Sequence, residues 1–257
     1  MNKERQEKIR NLLRLKGDVT TKELLELFPE SDEKAILEDF SILEQEGWIR
    51  QYTGGALYVK HAAQPTPELF LKRSLLNASQ KFKMAKSALG FVERGRTIFV
   101  DSGTTMMYFA QEMPDEYLSV FTPGVNIAME LIKRKKPSIT LVGGQLNRNT
   151  VAVSGAYAVK MLADVNIDIA FLAASGFDLE YGFTTGTYTE CETKREAVNR
   201  AQTKIVLMDS SKTEIKRPFS FAELEEIDVL ITDSALPEII KKEAARKNVK
   251  VIFGDEI

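Results

Sequence analysis

The chain has 257 residues, 44% of them hydrophobic, with a formal net charge of −2, a single cysteine (Cys191) and a single histidine (His61). One cysteine excludes an internal disulfide framework, and one histidine with no cysteine cluster leaves no metal site and little histidine-based catalysis to consider. No run approaches the roughly 18 apolar residues of a membrane span. The charged start Met1-Asn2-Lys3-Glu4-Arg5 leads into no signal-peptide core, so a soluble cytoplasmic protein without metal or cofactor is expected.

Residues 1–60 read as a unit of their own. Ile9, Leu12, Leu13 and Leu15 give an amphipathic helix stopped at Gly17-Asp18, and Thr20 or Thr21 caps a short second helix carrying Leu24, Leu25, Leu27 and Phe28. After a turn at Pro29-Glu30-Ser31, Ser31 or Asp32 caps a third helix with Ile36, Phe40 and Leu43 on one face. Two strand-like runs, 48–53 and 56–59, flank Gly54-Gly55. Three short helices and a hairpin are the plan of a winged helix-turn-helix, whose third helix enters the DNA major groove. A generic three-helix packing module is the plainer alternative.

His61–Glu68, with two prolines and little apolar content, reads as a linker. From 69 to 257 helices and strands alternate. A helix through Lys81, Met84, Ala85 and Leu89 runs to Gly95, and strands are predicted at 97–101, 118–122, 138–142, 168–173, 204–209, 227–232 and 249–253. Helices fall between them near 104–113, 124–134, 154–164, 189–201 and 237–247. The fold class is therefore α/β: a small winged helix-turn-helix followed by a doubly wound, mostly parallel domain.

Ligands in such sheets bind beyond the carboxyl ends of the strands. Small polar residues gather there at Asp101-Ser102-Gly103, Thr122-Pro123-Gly124, Gly143-Gly144, Ser175-Gly176-Phe177-Asp178 and Asp209-Ser210-Ser211-Lys212. The first of these continues as Thr104-Thr105 into a helix, so free amides and hydroxyls converge on a place suited to phosphate. The same residues would equally serve an ordinary capped helix.

These motifs resemble the DeoR family of bacterial transcriptional regulators. The resemblance rests on Lys81-x-x-Met84-Ala85, Asp101-Ser102-Gly103-Thr104-Thr105, Gly143-Gly144, Asp168-x-Ala170-Phe171, Gly176, Gly182-x-Thr184, Glu190-x-x-x-Lys194, Asp209-x-Ser211-Lys212 and Ile231-Thr232-Asp233. Gly54-Gly55-Ala56 closes the N-terminal part of the match, which spans nearly the whole chain in order. It implies a regulator, in the first instance a repressor, of carbohydrate-metabolism genes. Its sensor domain, related to ribose-5-phosphate isomerase, would bind a phosphorylated sugar, and its partner would be a double-stranded DNA operator. Operators with repeated half-sites favour a symmetric homo-oligomer.

Carried over by residue, Asp101, Ser102, Gly103, Thr104 and Thr105 would meet the effector's phosphate or nearby hydroxyls, with Thr122, Gly176 and Asp178 at neighbouring strand ends. Gly143 and Gly144 would allow close backbone approach, and Lys212 would supply the cation facing the phosphate. Glu190 and Lys194, four apart, either bond sugar hydroxyls or pair with each other as a surface contact of ~0.3–0.5 kcal/mol. Pro123-Gly124 stands where the family carries Thr-Asn, which removes a backbone donor and an amide side chain.

The DNA-reading helix departs further. Ala35-Ile36-Leu37-Glu38-Asp39-Phe40 replaces the family's Thr-Ile-Arg-Arg-Asp-Leu, and residues 1–60 hold 10 Lys+Arg against 12 Asp+Glu. The DNA-contact candidates are Arg5, Arg10, Thr21, Lys34, Ala35, Leu37, Glu38, Ser41, Arg50 and Gln51. Positive charge left on the first helix, from Lys3 to Lys16, and Lys60 of the wing could track the DNA backbone. Two alternatives stand beside this reading. One is a sensor whose degenerate DNA helix acts through a partner. The other is an isomerase-like enzyme using Asp178 or Glu190 as base, which the fused helix-turn-helix and the histidine-free α/β domain disfavour.

Overall fold

A computed structural model describes residues 3–16, 18–58 and 68–254. The chain divides into two compact units, Met1–Phe82 and Lys83–Ile257.

The first unit opens with α1 (Lys3–Lys16), β1 (Asp18–Thr20), α2 (Thr21–Leu27) and α3 (Glu33–Gln45). The hairpin strands β2 (Ile49–Tyr52) and β3 (Gly55–Tyr58) follow. Ile9 and Leu13 of α1 meet Leu24, Ile36, Phe40 and Leu43 in one fully buried cluster, which explains why each helix keeps its apolar residues on a single stripe. Asp32 is the cap of α3, accepting from the Ala35 amide at 2.8 Å. Thr20 caps α2 through the Glu23 amide, and Thr21 is the first helical residue.

The sequence reading missed β1. Three residues are too few for an alternation to show, yet they pair antiparallel with β3 in a sheet of order β1-β3-β2. That pairing also explains Gly55: a Cβ there would lie 2.5 Å from the Val19 carbonyl oxygen. Val59, Lys60 and residues 61–67 of the expected linker lie outside the described residues, and Glu68 begins α4 (Glu68–Leu75). The helix expected to reach Gly95 is α5 (Ala78–Ala88), after which the chain tightens into a 3-10 turn at Leu89–Phe91.

The second unit holds β4 (Thr97–Val100), α6 (Thr104–Glu112), β5 (Ser119–Thr122), α7 (Val125–Leu131) and β6 (Ser138–Leu141). Next come β7 (Gln145–Asn147), β8 (Ala152–Ser154), α8 (Ala156–Ala163), β9 (Ile167–Ala173), β10 (Gly176–Asp178) and β11 (Gly182–Thr185). The chain ends with α9 (Tyr188–Arg200), β12 (Ala201–Leu207), β13 (Phe219–Ala222), β14 (Val229–Thr232), α10 (Glu238–Arg246) and β15 (Lys250–Phe253).

Each of the seven strands expected from the apolar runs is present. Together they form one parallel sheet of order β15-β14-β12-β9-β4-β5-β6. The chain starts in the middle at β4, builds outward to β6, then returns to β9 on the other side of β4. The strand order therefore reverses between β4 and β9, where an open α/β sheet leaves a crevice. Phe99, Ala170, Leu172, Val206 and Leu230 carry the buried core across this sheet, and Phe109 packs on Phe171 with ring centroids 4.5 Å apart.

Two antiparallel additions were not expected: the hairpin β7–β8 and a small sheet β10-β11-β13. Their strands are three or four residues long, too short for a period to stand out from loop. No helix among the described residues is long and apolar enough to cross a membrane.

Candidate functional site

The reversal of strand order brings the end of β4 beside the end of β9, and the buried side chain of Asp101 fills the gap. One carboxylate oxygen accepts from the Ser102 amide at 2.7 Å, and the other accepts from the Ala173 amide at 2.9 Å. Lys194, 93 residues along the chain on α9, donates to the second oxygen and to the Ala173 carbonyl at 2.8 Å. Glu190, one turn earlier on α9, lies 3.4 Å from the same ammonium. Asp101 and Lys194 thus clamp α9 to the junction of β4 and β9.

Burial pushes the Asp101 carboxyl above the usual carboxylate range, while Lys194 and the Ala173 amide pull against that rise. For Lys194 burial acts downward, but the Asp101 and Glu190 carboxylates outweigh it and hold the ammonium above its ordinary value. The Lys194 ammonium is therefore retained as a charged group inside the fold. The expected surface pairing of Glu190 with Lys194 is corrected here: the lysine side chain is 4% exposed and its main partner is Asp101. Removing one member of such a buried pair costs about 3–5 kcal/mol, ten times the surface value.

Above this network lies a small cavity of about 10 Å³ that opens to solvent. Of the expected effector residues, Asp101, Ser102, Glu190 and Lys194 line it. Gly103, Thr104 and Thr105 follow directly at the start of α6. Gly103 has φ near 104° and no side chain to cap the helix, so the first amides of α6 stay open.

The other expected residues take other roles. Thr122 is buried, and its hydroxyl accepts from the Gly124 amide at 3.0 Å. Gly144 makes a close backbone approach, but to β8: a Cβ there would sit 2.5 Å from the Ser154 carbonyl oxygen. Gly143, just before it, lies beside Tyr157. Gly176 faces the Ile215 carbonyl at a hypothetical 2.2 Å, and Asp178 accepts from the Glu180 amide in the β10–β11 turn. Lys212 sits in a 3-10 turn after β12 and is not on the cavity wall.

The wall that the sequence reading missed is the β7–β8 hairpin, together with the threonines around Glu190 and Lys194. Asn147, Thr150 and Ser154 come from the hairpin, Thr187 from the N-cap of α9 and Thr193 from within α9, and they face Pro123 of the expected strand end after β5. The hairpin is pinned by the Val153 amide on the Pro123 carbonyl (2.8 Å) and the Val125 amide on the Val151 carbonyl (3.0 Å). Val151 itself has φ near 54°, a costly conformation for a β-branched residue. The signal available beforehand was Asn147-Arg148-Asn149-Thr150, a polar turn following the double glycine.

In the first unit the candidate DNA-contact residues separate into two groups. Arg5 is engaged inside the domain: its guanidinium binds the Asp39 carboxylate, the Ser31 hydroxyl (2.8 Å) and the Ala35 carbonyl (3.2 Å). Gln6 takes the other Asp39 oxygen at 2.8 Å. Arg10 pairs with Glu46 and lies 5.0 Å from the Trp48 ring centre. Gln51 donates its backbone and side-chain N–H groups to Glu44, both at 3.0 Å. Thr21 is buried and Ala35 half-buried. Lys34, Leu37, Glu38 and Ser41 share the exposed face of α3, with Arg50 half-buried on β2. The side chains of Lys3 and Arg14 and the whole of Lys60 lie outside the described residues.

Family models match both units. A DeoR-like helix-turn-helix domain covers residues 5–62, and a DeoR C-terminal sensor domain covers 76–234. The chain is 31% identical over 240 residues to the HTH-type transcriptional regulator GolR of Listeria innocua, covering 93% of each protein. It is 30% identical over 249 residues to a regulator of Bacillus subtilis, YulB, covering 96% of this chain and 95% of the relative. Over 233 residues it is 28% identical to the L-fucose operon activator of Escherichia coli, covering 91% and 96%. Among solved structures, ribose 5-phosphate isomerase A of Methanocaldococcus jannaschii overlaps 53% of this chain and 55% of its own, at 19% identity and a TM-score of 0.40.

Proposed function

Because this chain belongs to the DeoR family of DNA-binding transcriptional regulators, a family of regulators rather than enzymes, we propose that it represses carbohydrate-metabolism genes under the control of a phosphorylated sugar bound at the Asp101–Lys194 cavity. The observation that carries the reading is the composition of the cavity wall. It holds one ammonium, two carboxylates and the neutral polar groups of Asn147, Thr150, Ser154, Thr187 and Thr193. A polyol needs that mixture of donors and acceptors. Asp101 already accepts three hydrogen bonds, so Glu190, which is partly exposed, is the carboxylate with free lone pairs for a sugar hydroxyl.

A phosphate dianion suits the carboxylate-bearing wall poorly, and the open amides of α6 beside Ser102 suit it well. The reading therefore puts the sugar against α9 and the phosphate at Gly103–Thr105. Relatives include both an operon activator and a transcriptional repressor, AccR of Agrobacterium fabrum, so the sign of regulation is a separate measurement. A thermal-shift screen of sugar phosphates against their free sugars tests the site. A ligand at 100 times its dissociation constant adds about 2.7 kcal/mol of stability. Thr104→Val should weaken only the phosphate esters, whereas Glu190→Ala should weaken esters and free sugars alike. No stabilisation by any sugar phosphate would end this reading.

A second reading, a sensor that acts through a protein partner, draws on the engagement of Arg5, Arg10 and Gln51 within the domain. Absence of duplex binding at low salt would favour it.

A further inference from the structure

The exposed side chains of α3 are Glu33, Lys34, Leu37, Glu38, Ser41 and Gln45. Lys34, Leu37, Glu38 and Ser41 lie three, four and seven apart, so they form one face, opposite the buried Ile36, Phe40 and Leu43. Leu37 is 43% exposed at the centre of that face, an apolar side chain set among polar ones. The Ser41 hydroxyl donates to the Leu37 carbonyl at 2.9 Å, so that hydroxyl is already engaged within the helix. Neither Glu38 nor Lys34 has a hydrogen-bond or ion-pair partner for its side chain among the described residues, and α3 carries no arginine. Arg5 is held beneath the helix by Asp39, Ser31 and the Ala35 carbonyl.

Base edges present few chemistries in the major groove. A guanine offers two acceptors that call for Arg or Lys, thymine alone offers a methyl group, and cytosine offers an amine that Glu or Asp can accept from. We propose that α3 reads its half-site through a thymine methyl against Leu37 and a neighbouring cytosine amine against Glu38, with no arginine–guanine contact. This rests on the DNA-binding reading above. A carboxylate in the groove is repelled by phosphates and by the acceptor edges of guanine and thymine. Glu38 therefore penalises wrong bases more strongly than it rewards the right one, and it lowers affinity while sharpening preference. Lys34, one turn earlier, offsets its charge, and Lys22 on α2 and Arg50 on β2, both without side-chain partners among the described residues, are placed on flanking elements for backbone phosphates.

The test is selection from a randomised duplex library with the full chain, followed by fluorescence anisotropy on the enriched duplex at fixed salt. Enriched half-sites should carry adjacent thymine and cytosine. Replacing that thymine by deoxyuridine removes only the methyl group and should weaken wild-type binding about four-fold. The same replacement should leave Leu37→Ala unaffected, and Glu38→Gln should shift the neighbouring preference from cytosine to adenine. Both positions are exposed, so circular dichroism melts should match the wild type. Guanine at the enriched positions, or indifference of the wild type to deoxyuridine, would overturn the proposal. Binding to every duplex with no enrichment would overturn it while leaving DNA binding intact. Failure to bind any duplex at low salt would remove both readings together.

Discussion

Each unit secures a buried aspartate with a cation from far along the chain, and the two arrangements serve opposite ends. In the first unit Asp39 points inward from α3 and is held by Arg5, 34 residues away, and by Gln6. The pair lies behind the helix, so it orients the exposed face without belonging to it. In the second unit Asp101 and Lys194 clamp α9 to the sheet, yet the same side chains form the cavity wall. A scaffold that stands apart from its surface permits the surface to change. Leu37 and Glu38 can replace two arginines while Asp39 and the core stay as they are. A scaffold that is itself the wall allows no such freedom.

That contrast predicts how each network breaks. Lys194→Met should have the largest effect, leaving Asp101 buried with only two backbone donors. A loss of about 3–5 kcal/mol from the second unit is expected by urea denaturation, with effector stabilisation abolished in the same protein. Arg5→Ala should cost the first unit about 2–3 kcal/mol, because Gln6 still holds one Asp39 oxygen. It should lower duplex affinity across all sequences and leave the sugar-phosphate shift unchanged. A loss of effector response in Arg5→Ala would erase the distinction between the two networks.

Smaller effects sharpen the comparison. The pair Arg10–Glu46 is partly exposed and reinforced by Trp48, so Arg10→Ala should cost about 1 kcal/mol or less. Half-buried beside Asp18, the Tyr52 hydroxyl has its pKa pushed up to about 12 by burial first and by the Asp18 charge second. A raised pKa means the folded state favours the neutral phenol. Its contribution is complete below the unfolded value near 10 and is lost as pH climbs through 12. Lys194, also held above its ordinary value, moves the second unit in the same alkaline direction. Absorbance titration should show a tyrosine ionising near 12 that is missing in Tyr52→Phe.

What could be read from the residues alone was whatever depends on neighbours in sequence. The seven parallel strands were legible because strands buried on both faces must be near-continuous apolar runs, as in Ile167–Ala173. The helices of the first unit were legible because each buries one stripe, and the Asp-Ser-Gly-Thr-Thr turn because strand end, glycine and helix start are contiguous. Tertiary structure decided what depends on pairing at a distance. Nothing local marks Lys194 as the partner of Asp101 rather than of Glu190 alone, and nothing local separates Arg5 from a DNA-contacting arginine. The choice follows from which charges are withdrawn from water, since a buried carboxylate must be matched by whatever cation the fold brings to it. The three-residue strands β1, β7, β8 and β10 were hidden for a related reason. Their order comes from the strands they pair with, and a chain segment that short carries no periodicity of its own.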